Sequence, residues 1–195
     1  MSRLLMVALA LFGALLLASC ATLTKEQCQA GDWRSIGFND GSRGRPANYV
    51  SNHVDACAEY GISLDNALYQ AGRSDGLGSY CRLSTAETTG RRGERYYGVC
   101  EGPVGAAFAR VHRAGEAVYE AKSELSSLDS EIDGLMRQLR REGISEDEMR
   151  ALSRQITSLQ RSRWQLESEV RRAERSLASI RRAEEVRLAQ AGIAY

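Results

Sequence analysis

Between Val104 and about Glu184 the apolar residues fall into two mirrored registers, and no other feature of the chain restricts its fold so tightly. Toward Gly143-Ile144-Ser145, the residues Val104, Ala107, Val111, Ala114, Val118, Ala121, Leu125, Leu128, Ile132, Leu135 and Leu139 alternate in steps of three and four. Beyond it, Met149, Leu152, Ile156, Leu159, Arg163, Leu166, Val170, Ala173, Leu177 and Ile180 do the same, with Arg163 as the polar intruder. A mean spacing of about 3.5 residues is the seam of a left-handed coiled coil. The two runs predict an antiparallel helical hairpin with arms of about 40 residues, about 60 Å long at ~1.5 Å per residue. Pairing residues whose numbers add to 287 or 288 sets Leu139 against Met149, Ile132 against Ile156, Val118 against Val170 and Val111 against Leu177. Gly143 ends the first arm, Ser145 with Glu148 forms a capping box for the second, and Pro103 suits a first helical turn.

The other end of the chain carries an export signal. Arg3 precedes an apolar run from Leu4 to Leu17, about 14 residues and short for a membrane-spanning helix, so residues 1–19 read as a signal peptide. Leu17-Ala18-Ser19-Cys20 resembles the bacterial lipoprotein box, which makes Cys20 the lipidation site and its acyl chains, palmitate among them, the membrane anchor. Residue 21 is alanine, not the aspartate of enteric-type inner-membrane retention. For a Gram-negative source that predicts the outer membrane, facing the periplasm. Cys28, Cys57, Cys81 and Cys100 then remain as an even set in an oxidising compartment. Of three possible connectivities, helix geometry favours Cys28 with Cys57 and Cys81 with Cys100. A zinc site using His53 and Cys57, four apart on a helix, is the competing reading, but no CxxC pair accompanies them. No cofactor is expected. Without Arg3 the chain has 25 basic and 25 acidic residues, a balance that gives no support to nucleic-acid binding.

The fold class expected is mainly α: a small disulfide-linked, Gly-rich helical head followed by the long hairpin. Residues 20–27 form a lipidated tether, 28–102 the head, 103–190 the coiled coil and 191–195 a tail. In the head, helical spacing runs from Ala30 to Arg43, from Tyr49 to Tyr60, and from Leu64 to about Gly78 with Ser63 as its N-cap. Tyr80 to Gly102 reads as a disulfide-closed loop in which residues 83–86 and 95–99 pair as short strands. Tyr80, Tyr96 and Tyr97 are expected to pack rather than to stack on a glycan. Gly90-Arg91-Arg92-Gly93 lacks the P-loop's Lys-Ser/Thr and reads as a turn.

A weak repeat runs through the head. Trp33 to Gly41 and Leu68 to Gly76 align at an offset of 35 and share GxxDG. Glycines four apart clear a strip on a helix, and each costs about 1 kcal/mol relative to alanine, so a close helix crossing must compensate. On that reading Asp40 and Asp75 cap backbone or pair with Arg34, Arg43 or Arg73. The sharper alternative makes Asp40 and Asp75 a catalytic carboxylate pair in a cleft, with glycosidic bonds as the target and His53, followed by Asp55, as a general base. No serine or cysteine occupies a nucleophile elbow.

Trp33-x-x-x-Gly37-x-x-Asp40-Gly41, His53 with Cys57, Gly72-x-x-Asp75-Gly76-Leu77 running into Tyr80-Cys81, and Tyr97-Gly98-Val99-Cys100 together resemble the bacterial family known as domain of unknown function 2799. The resemblance covers about residues 27–105. It implies small periplasm-facing lipoproteins and carries no catalytic residues over.

Two functions follow from these readings. One is a membrane-anchored, non-enzymatic envelope scaffold whose hairpin meets an envelope protein or a second copy. The other is a peptidoglycan- or glycan-acting head with the hairpin as spacer. Partner binding is expected at Trp164 beside Arg163, and at the tip around Leu135 and Ile156, where the bulkier seam residues lie.

Overall fold

The computed structural model describes residues 22–193, so the signal peptide and Cys20 lie outside the described residues. Among the described residues there are seven α-helices and no strand. The chain divides into two compact units, Met1–Gly76 and Leu77–Tyr195.

In the first unit, α1 (Lys25–Ala30) is opened by a capping box between Thr24 and Gln27 and closed by Gly31 in the left-handed conformation. Asp32 then caps α2 (Trp33–Ser42) by accepting the Ser35 N–H. The expected single helix from Ala30 is thus two, because Gly31-Asp32 is both a stop and a start. A 3₁₀ turn at Ala47–Tyr49 leads into α3 (Val50–Ala58), and α4 spans Asn66–Tyr80. The side chain capping α4 is Asp65, whose Oδ1 accepts the Leu68 N–H at 3.0 Å, and not Ser63. Leu23, Cys28, Trp33, Cys57 and Tyr69 form one buried cluster, stapled by the Cys28–Cys57 disulfide. Leu23 is only 5% exposed, so the stretch 22–27, read as tether, is pinned to this core by Leu23 and runs into α1.

The repeated glycines do what their spacing predicts. A Cβ on Gly37 would stand 2.0 Å from Tyr69 O, one on Gly72 1.9 Å from Arg34 O, and one on Gly76 2.2 Å from Phe38 O. Only hydrogen at these positions lets α2 and α4 cross backbone to backbone.

In the second unit, residues 83–91 form helix α5 (Leu83–Arg91) and not a strand. Leu83, Ala86, Thr89 and Gly90 are its buried residues, a spacing of three and four that commits the segment to a helix. The Cys81–Cys100 disulfide closes the segment as expected. Two long helices follow, α6 (Gly102–Leu139) and α7 (Glu146–Gln190), with Pro103 in the first turn of α6 and the Ser145–Glu148 capping box opening α7. At the connection Gly143 has φ 78°. Phe108, Val111, Val118, Leu177 and Leu188 are fully enclosed, and Tyr80 and Tyr96 lie against the Phe108 ring at centroid distances of 5.2 and 4.5 Å. Tyr97, by contrast, is exposed beside the Arg95 guanidinium. Gly90 and Gly115 let α5 and α6 cross closely: a Cβ on Gly90 would be 2.3 Å from His112 O. Residues 81–100, assigned above to the head, therefore pack with the long helices.

The long helices lie antiparallel but not in the expected register. Ion pairs Arg110–Glu184, Lys122–Glu174 and Asp129–Arg163 link residues whose numbers add to 294, 296 and 292, one to two seam steps beyond 287 or 288. Met149, expected against Leu139, is accordingly 45% exposed. The cause lies at the base of the pair. Burial on α7 continues past Ile180 to Glu184 and Leu188, so the seam is longer than its apolar pattern. Glu184 occupies a seam position because Arg110 and Arg187 neutralise it.

Candidate functional site

Asp40 belongs to α2, His53 to α3 and Tyr69 to α4, and the helix crossing brings all three together. Asp40 Oδ2 accepts from the Tyr69 hydroxyl at 2.8 Å and lies 2.7 Å from His53 Nε2. Nδ1 of the same ring is 2.8 Å from Thr22 Oγ1. Asp40 and His53 are 6% and 3% exposed. Burial and the hydrogen bond to Asp40 raise the Tyr69 hydroxyl above its ordinary range, which keeps it a donor. Arg73 is also buried, donating from Nη2 to Arg45 O at 2.9 Å.

A hydroxyl, an imidazole and a carboxylate in series have the spacing of a nucleophilic triad. The Thr22 hydroxyl donates its single proton to Asn52 O at 3.0 Å. Nδ1 of His53 stands within hydrogen-bond reach of the same hydroxyl, so Thr22 Oγ1 joins the ring and the α3 backbone at one point. The series therefore acts as a clamp, holding residue 22 to α3 and α3 to α2.

Asp75 has no part in it. Its carboxylate pairs with Arg34 at 2.8 Å on an exposed surface. The two GxxDG aspartates thus have separate partners, one buried and one solvated, which is not the shared cleft of a carboxylate pair. Cys57, the other half of the zinc reading, is bonded to Cys28. Asp40 lines a small cavity of about 210 Å³ with Arg43, Arg45, Tyr49 and His53.

The second candidate site is on the long helices. Arg163 donates from Nε to Asp129 at 2.6 Å and also pairs with Glu167. Beside this pair Trp164 is 73% exposed over an open groove of about 760 Å³, walled by Ile132 and Met136 from α6 and by Thr157 and Gln160 from α7. Leu135 and Ile156 are buried between the helices and are not available at the surface.

Residues 32–117 match the family described as Protein of unknown function (DUF2799). No curated protein matches the chain, and no solved structure does. The DUF2799 match takes in Asp40, His53, Tyr69, Asp75 and the whole Cys81–Cys100 bridge, and it runs about a dozen residues beyond the expected limit near 105. That extension reaches Gly115, where α6 crosses α5, so the matched segment ends where the close crossing ends. Trp164 and its groove lie beyond it.

Thr22 and Tyr69 were the site residues that sequence reasoning missed. Tyr69 stands three before Gly72 on the crossing strip, a position that marks it as core. Nothing in the sequence marks Thr22.

Proposed function

We propose that this chain is a lipid-anchored, periplasm-facing cell-envelope protein that acts without catalysis, as a scaffold working through a coiled-coil hairpin. Acylation at Cys20 supplies the membrane anchor, and the outer membrane is the address. One observation carries the reading: the groups that would run chemistry, Asp40 and His53, are closed on one another and on Thr22 and Tyr69, whereas Trp164 stands open over a groove on the long helices. The clamp also suits an anchored protein. It grips the chain two residues after the acylated cysteine, so the folded unit follows its lipid with almost no slack.

The experiment is replacement, in the full chain, of residues 123–173 by an unrelated antiparallel hairpin of equal length, which leaves the Phe108 core and the α5 crossing in place. The envelope defect of a deletion strain, read as sensitivity to detergent, should persist with the replacement and be cured by the native chain. Full rescue by the foreign hairpin would reduce the long helices to a spacer and overturn the reading.

A further inference from the structure

We infer that the Trp164 face receives a second copy of this chain, the two helical pairs forming a four-helix bundle with both tips pointing the same way. The inference rests on the scaffold reading and names its partner.

The first ground is the unsatisfied surface. Trp164 leaves most of an indole in water beside Ile132 and Met136, the amphipathic combination found at the centre of protein interfaces. The second is charge. Asp133 on α6 and Arg161 on α7 both line the groove, and among the described residues neither makes an ion pair, although their neighbours Asp129 and Arg163 are paired to each other. The third is register. Asp133 and Arg161 have numbers that add to 294, within the 292 to 296 of the pairs joining the helices, so the two stand level on opposite walls.

These positions select one symmetry. A two-fold axis parallel to the helices lays α7 of each copy over α6 of the other at equal height. Arg161 then faces Asp133 of the second copy, Asp133 faces its Arg161, and each Trp164 points toward the other copy's Ile132 and Met136. An axis across the helices would set Arg161 against Arg161 and Asp133 against Asp133, which like-charge repulsion disfavours. The selected symmetry also points both copies the same way, as anchoring in one membrane requires. The face is large enough. Beyond the stretch that α5 covers, about 20 residues of α6 span about 30 Å, and two helices about 10 Å wide together offer on the order of 600 Å² per copy, about 1,200 Å² in total, the lower end of the range for specific complexes.

Two differently tagged full-length copies, co-expressed and extracted in mild detergent, test this. Each tag should recover the other copy. Trp164→Ala and Arg161→Asp should each cut that recovery at least tenfold with helicity unchanged, both positions being on the surface. Asp133→Arg combined with Arg161→Asp should restore it, since a charge swap on both walls preserves complementarity only when the two walls meet in a second copy. Absence of co-recovery in the native chain, or failure of the swap to restore it, overturns the inference. A photo-crosslinker at position 164 that captures another protein and never a second copy also overturns it, while leaving the scaffold reading in place; only rescue by the foreign hairpin removes both.

Discussion

A carboxylate as enclosed as Asp40 persists only where neighbours supply it with protons, and here His53 and Tyr69 are those neighbours. Removing the imidazole leaves a buried carboxylate with one hydroxyl donor. His53→Ala is therefore expected to lower unfolding free energy by about 3–5 kcal/mol in urea titration. Adding Asp40→Asn to that variant should recover at least about 1 kcal/mol, because the stranded charge is gone; strict additivity would contradict the coupling. The glycines give a sharper contrast within one helix. Gly72→Ala would drive a methyl into the Arg34 backbone and should cost more than about 3 kcal/mol, beyond ordinary overpacking, whereas Gly78→Ala, with open space around it, should be neutral or gain up to about 1 kcal/mol. Both sites read alike in sequence as helical glycines. The repeat marked Gly72 and Gly76 but could not say how close the opposing backbone comes.

Helix α5 is held to the long pair by a run of ion pairs: Glu87 with Arg91 and Arg181, and Glu174 with Arg91 and Lys122. Hydrogen bonds from Arg91 and Lys122 push the Glu174 carboxyl down to about 2 from an ordinary 4.5. A depressed carboxyl stabilises the fold above its unfolded value, and that contribution is lost as pH falls from 4.5 toward 2. Glu174→Gln should thus lower stability at pH 7 by on the order of 1 kcal/mol, the groups being about a third exposed, and should flatten the acid limb of the stability curve in that window. An unchanged acid limb would show the pairs to be without weight. The elements themselves differ in how well the sequence announces them. A seam period is a local property, so the approximate lengths of α6 and α7 and the Ser145–Glu148 cap of α7 were legible, whereas α6 ends at Leu139, four residues before the Gly143 expected to stop it. Register is not local. A base lined by alanine and valine fits almost as well one step away, and what decides between the steps is Glu184 with Arg110, a charged pair that an apolar pattern passes over. The strands expected at residues 83–86 failed for a related reason: four residues carry too little period, and the full run to Gly90 was masked by reading Gly90 as a turn.

At the scale of the whole molecule, each disulfide lies within one unit, and so does each tryptophan: Trp33 with Cys28–Cys57, Trp164 with Cys81–Cys100. Nothing in the residue pattern marks the division near Gly76, because it falls inside a continuous helix, α4, with no glycine-proline break to announce it. Once the division is known, the two tryptophans become separate reporters. Trp33 is buried and its emission should shift red when the first unit opens, while the far-UV signal is dominated by α6 and α7, which together hold 83 residues in the second unit. Cys28→Ser with Cys57→Ser removes a closure spanning 29 residues, worth about 3–4 kcal/mol on the chain-entropy model. In a Trp164→Phe background, which leaves Trp33 as the reporter of the first unit, that change should move the fluorescence midpoint in urea far below its original value and leave the far-UV midpoint within about 0.5 M of it. Equal movement of both midpoints would mean that the two units unfold as a single cooperative body. That outcome would require energetic coupling across the division, since among the described residues no disulfide crosses it.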